Sequence, residues 1–118
     1  MNNYAPVSET LFTGISADEA THLPVNCAGR SLVAITLESS GTTSGGNVTI
    51  EQARMADRRF PYSGTWSSIL VVAASTFSGG AQKVVSIANL PGTFVRVRVS
   101  DAITGGGTIS AYLDAGGA

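Results

Sequence analysis

Residues 91–113 read PGTFVRVRVSDAITGGGTISAYL, and this stretch decides the fold class. In Phe94-Val95-Arg96-Val97-Arg98-Val99 valines and arginines alternate strictly. A period of two places them on opposite sides of an extended chain, which suits a half-buried strand and no helix. Thr108-Ile109-Ser110-Ala111-Tyr112-Leu113 alternates in the same way. With the glycines 105–107 between them, the two runs are expected to form a strand, a turn and a second strand.

Working outward, Ser31-Leu32-Val33-Ala34-Ile35-Thr36-Leu37-Glu38 is a near-continuous apolar, β-branched run. It is too short for a stable helix and predicts a central strand. The cluster SSGTTSGGN at 39–47 is a turn signal, and Asn47-Val48-Thr49-Ile50-Glu51-Gln52 is expected to return as its hairpin partner. Thr10 to Ile15 predicts a short first strand, and 16–28 a loop or one helical turn followed by an extended piece. Residues 54–64 hold Asp57, Pro61 and Ser63-Gly64 and predict a long loop. The apolar run Ile69 to Ala74 fits helix or strand, and Val71-Val72 favours strand. Gln82 to Ile87 predicts another strand. Seven or eight short strands between Gly/Ser/Pro turns predict an all-β chain, folded as a single antiparallel β-sandwich or a barrel. Residues 1–8 read as a polar N-terminal arm and 9–118 as one domain. The predicted core joins Val95, Val97 and Val99 to Leu32 or Val33, Ile35, Val48, Ile50, Ile109 and Leu113.

Composition narrows the function classes. Of 118 residues 13% are charged, about half of the roughly 25% usual in soluble domains. Gly, Ser and Thr supply about a third of the chain. Such a surface is cheap to desolvate and suits a protein packed against neighbours. The net charge of −1 gives no electrostatic basis for nucleic-acid binding. The single Cys27 allows no intrachain disulfide and no Cys-based metal site. The start MNNYAPVSET has neither a basic nor an apolar signal region, and no apolar run approaches the length of a membrane span. Synthesis in a cytosol without an export signal, and no membrane partner, are therefore expected.

The residues capable of chemistry are few. His22 is the sole histidine; with Asp18 and Glu19 it has too few companions for a zinc site or a catalytic triad. Glu38 and Glu51, placed on neighbouring strands, raise a glycosidase-like carboxylate pair. Cross-strand pairing with outward Arg96 or Arg98, worth a few tenths to about one kcal/mol, is the stronger explanation of such carboxylates. The runs Gly45-Gly46 and Gly105-Gly106-Gly107 precede no helix and carry no Gly-Lys-Ser pattern, so they read as turns. No catalytic residue, metal or cofactor is expected. Tyr62, Trp66 and Tyr112 are candidate sugar-stacking rings, and Tyr4, Phe12, Arg96 and Arg98 candidate partner contacts, with Phe77 a further half-exposed ring.

In order, Val48-Thr49-Ile50-Glu51, Ser63-Gly64-Thr65-Trp66, Phe94-Val95-Arg96-Val97-Arg98-Val99-Ser100, Ala102-Ile103-Thr104-Gly105-Gly106-Gly107-Thr108 and Ile109-Ser110-Ala111-Tyr112-Leu113 resemble the pattern of small virion proteins of tailed bacteriophages. The resemblance spans roughly residues 32–113. In size the chain is most similar to the capsid decoration, or cement, proteins. That resemblance implies a jelly-roll-like sandwich, assembled in the host cytoplasm as a dimer or trimer on the capsid exterior. Its partners would be the major capsid protein and itself, and its task to bridge neighbouring capsid subunits. The arm here is short, whereas many decoration proteins carry Pro- and Ala-rich arms. A fibre or tail module for host attachment and a carbohydrate-binding module are the alternatives. Whatever the role, Val97→Asp is expected to abolish cooperative folding by burying an unpaired charge, as read by loss of a thermal transition in circular dichroism.

Overall fold

The computed structural model describes residues 7–17, 24–27, 32–54, 66–88 and 93–116. They form eight strands: β1 Val7–Ile15, β2 Val25–Asn26, β3 Leu32–Ser40, β4 Gly45–Arg54, β5 Ser67–Ala73, β6 Gln82–Ala88, β7 Thr93–Thr104 and β8 Thr108–Gly116. One 3-10 turn, Ala74–Phe77, interrupts them. Sheet A has the order β1-β8-β3-β6 and sheet B the order β2-β7-β4-β5.

This order has a simple origin. The pairs β1·β8, β2·β7, β3·β6 and β4·β5 are all antiparallel. They are the rungs of one long hairpin folded at the segment between β4 and β5. Rolling that hairpin adds β3·β8 and β4·β7 and splits it into two four-stranded sheets. The result is the eight-stranded jelly roll, and the all-β, antiparallel sandwich expected from the strand pattern is what the chain forms. Two tight turns fix how the sheets face. Residues 41–44 carry β3 to β4 and 105–107 carry β7 to β8, so β3 lies over β4 and β8 over β7. It follows that β6 lies over β5, and β1 over β2.

Both expected hairpins are therefore corrected. β3 and β4 do not pair, nor do β7 and β8; each turn arches from one sheet to the other. The alternation that makes a strand amphipathic is the same in a hairpin and in an arch. In the arch the two apolar faces meet across the core. Val95, Val97 and Val99 of β7 are fully buried, as are Ile35, Val48, Ile50, Ile109 and Leu113. Of the pair left open, Val33 takes the core position and Leu32 points outward. The predicted core is otherwise the observed one, and Leu37, Phe77 and Cys27 join it.

Two other boundaries move. Val7 and Ser8, assigned to the arm, belong to β1 and pair with Ala115 and Asp114; residues 1–6 lie outside the described residues. The extended piece within 16–28 is β2, which pairs with Val95 and Phe94.

The glycine turns meet at one end of the sandwich. Gly107 N donates to Thr42 O at 2.7 Å, Ser44 N to Thr104 O at 2.9 Å, and Gly79 N to Gly41 O at 2.9 Å. Buried Thr43 donates its hydroxyl to Ala74 O at 3.0 Å, and buried Ser39 to Phe77 O. A Cβ on Gly107 would come within 2.6 Å of the carbonyl oxygens of both Ser40 and Thr42. These are backbone atoms that cannot step aside, so the glycine serves close approach of two turns. Gly107→Ala is expected to cost about 2 kcal/mol, measured as a lower urea midpoint with unchanged strand content.

Candidate functional site

The outer face of sheet B carries the arginines. The register sets Glu51 opposite Arg96 and Thr49 opposite Arg98, with all four side chains turned away from the core. Arg96 Nε donates to Glu51 Oε1 at 2.8 Å. Arg98 Nε stands 3.0 Å from the same oxygen, but its N–H is not aimed at an acceptor, so that contact is ionic. The Trp66 ring lies over the Arg96 guanidinium at 4.2 Å, a cation–π geometry. Next along the face, Thr49 donates to Ser100 at 2.7 Å, Ser100 to Asn47 O at 3.2 Å, and Asn47 Nδ2 to Asp101 at 2.6 Å. Glu51 is only 6% exposed. The face is a polar network whose members bond mostly to one another, with the Arg98 Nε–H left without an acceptor.

The outer face of sheet A is different. Register rows set Thr10, Tyr112, Thr36 and Val84 side by side, and next to them Ser8, Asp114, Ala34 and Ser86. Most of these side chains are small, so the face is low and the Tyr112 ring is flanked by two threonines. A shallow groove of about 440 Å³ runs past Glu9, Thr10, Thr36, Tyr112 and Gln82. A second of about 380 Å³, more apolar, lies beside Val7, Leu32, Ala34 and Ser86. Asp114 lines both and accepts a hydrogen bond from Ser8. Glu38 accepts from Gln82 Nε2 at 2.8 Å. The face thus presents hydroxyls, a phenol and three carboxylates. Among the described residues no three His, Cys, Asp or Glu side chains are grouped to hold a metal ion.

The predicted site residues scatter over this frame. Phe12 is no surface anchor: it is 7% exposed and packs in the core, in register with Ala111, whose small side chain leaves it room. Phe77 is likewise buried, turned inward by the 3-10 turn. Arg96 and Arg98 are held by Glu51, and Arg96 also by Trp66. Trp66 lies on the outer face of sheet B and Tyr112 on that of sheet A, so they form no common sugar platform. Glu38 and Glu51 are on opposite sheets and form no carboxylate pair; Glu51 does pair with the arginines as the cross-strand reading expects. Tyr4, Tyr62, His22, Asp18 and Glu19 lie outside the described residues. Sequence reading missed the Thr10–Tyr112–Thr36–Val84 row. Its members come from four strands, and only the sheet order brings them together.

No known protein family matches the chain, and no curated protein matches it in sequence. Among solved structures it is similar to murine APRIL, at 10% identity and a TM-score of 0.44, covering 82% of this chain and 73% of that one. It is also similar to the globular domain of the zebrafish complement 1qA protein, at 10% identity and a TM-score of 0.43, covering 93% and 92%. Likenesses this loose carry no functional argument; the strand order assigns the fold without them.

Removing the Glu51 carboxylate leaves two mostly buried guanidiniums facing each other. Glu51→Ala is expected to cost about 2 kcal/mol, somewhat less than a fully buried pair because Arg98 keeps partial solvent contact. Urea unfolding followed by Trp66 fluorescence measures it.

Proposed function

We propose that this protein is a virion structural component, a capsid decoration protein that binds the outside of a phage head and bridges major capsid protein subunits as a homo-oligomer. The supporting observation is the outer face of sheet A. It is low and Ser/Thr-rich, has one central aromatic ring, and its Glu38 and Asp114 carboxylates are already hydrogen-bonded to Gln82 and Ser8. Such a face desolvates cheaply against another protein and suits a mechanical role in which many copies supply the affinity. No catalytic step is part of this reading. The bacteriophage-like pattern over roughly residues 32–113 supports it independently of the geometry.

A glycan-binding role is the second reading, favoured by one observation: Tyr112 lies beside Gln82, Glu9 and Asp114 in the polar groove, where a ring and hydrogen-bonding groups converge. Trp66 is on the other sheet, so its fluorescence would not report binding there.

The deciding experiment adds purified protein to undecorated capsids. Saturable binding with a raised capsid melting temperature, weakened at least roughly tenfold by Tyr112→Ala, is the expected result. Absence of binding, with Tyr112-dependent capture on a glycan array instead, would replace the decoration reading by the glycan one.

A further inference from the structure

Because β6 lies over β5, both strands bound the same flank of the sandwich. Both strands carry large exposed apolar side chains, Val71 on the outer face of sheet B and Val84 on that of sheet A. Leu70 and Val71 of β5 are 39% and 55% exposed, and Val84 of β6 is 59% exposed. Leu32, at 56%, stands on the neighbouring strand β3. Neither β5 nor β6 has a second strand partner among the described residues. From Trp66 to Gln82 the chain carries no charged residue, and Lys83 is the single charge on either strand.

The opposite flank is built in the other manner. β1 has two register shifts, an exposed Glu9 and a positive-φ glycine, Gly14. β2 is two residues long. Bulges, charge and short strands are the devices that keep a free edge from pairing. The β5–β6 flank has fewer of them, one register shift in the β4·β5 ladder and Lys83, and β5 itself carries no charge.

We propose that the β5–β6 flank is an interface with a second copy of this chain, with β5 pairing antiparallel to its own counterpart across a two-fold axis. An uncharged strand is well matched to itself, because the two-fold brings no like charges together. A charged partner would find no counter-charge along it. With the axis at Val71, that residue meets its equivalent and Leu70 lies opposite Val72 of the second copy, and sheet B continues from one molecule into the next. This deepens the homo-oligomer part of the proposed function by naming the surface.

Sedimentation equilibrium of the full chain, from micromolar to millimolar, tests it. The expected result is a closed dimer whose dissociation constant rises at least roughly tenfold in Val71→Lys. Thr13→Lys, on the protected flank and exposed, is expected to leave it unchanged. Val71 is more than half exposed, so the variant should fold; circular dichroism checks this, and the milder Val71→Thr serves if it does not. A monomer throughout the range, a dimer indifferent to both Val71 changes, or open-ended growth with concentration would each overturn the proposal. A monomer that binds capsids would sink this interface and spare the decoration reading. A Val71-dependent dimer that binds no capsid would do the reverse.

Discussion

The register of β7 against β4 is the constraint on which the rest depends. Val97 faces Ile50 and Val99 faces Val48, both inward, while Arg96 faces Glu51 and Arg98 faces Thr49, both outward. A slip of one residue would drive two guanidiniums into the core and turn the valines to the surface. It would also strand Glu51. Hydrophobic burial on one side and ion pairing on the other thus select the same alignment, and neither alone discriminates as sharply. Since β7 also pairs with β2 and turns directly into β8, this one register propagates into both sheets.

The same interaction explains why the arginines read from sequence as contact residues serve another purpose. Alternation shows which side chains share a face. It does not show whether that face is open. Here a carboxylate three strands away in sequence sits between the two guanidiniums, and an indole caps one of them. Glu51 was legible as a partner because cross-strand neighbours of opposite charge attract, whichever topology delivers them. That Glu38 sits on the other sheet was not legible, since nothing in its local pattern specifies which strands flank it.

Fold class and core were readable because they depend on local periodicity; topology was not. Glycine-rich turns at 41–44 and 105–107 announce a reversal, and a reversal between two amphipathic strands is equally compatible with hydrogen-bonded neighbours and with an arch. The choice is made by what else competes for each edge. β8 pairs with β1 and β3, and β7 with β2 and β4, so neither has an edge left for the other. The close contacts around Gly107 record that choice in the turn itself, but they involve carbonyls of residues some 65 positions earlier in the chain, beyond what a local pattern reports.

The two continuous apolar runs make the same point with a different consequence. Val33-Ala34-Ile35 and Ile69-Leu70-Val71-Val72 look alike in sequence, and runs of this kind are typical of strands covered on both faces. The first lies in β3, which is central. The second lies in β5, at the rim of sheet B, where an isolated molecule needs apolar residues on only one face. Packing within the chain accounts for Val72, which is buried, and in part for Ile69. It gives no reason for Val71, whose side chain points away from the core. A strand that carries more apolar surface than its own fold can cover, with no charge along its length, is the composition of a strand whose remaining edge is covered in the assembled state.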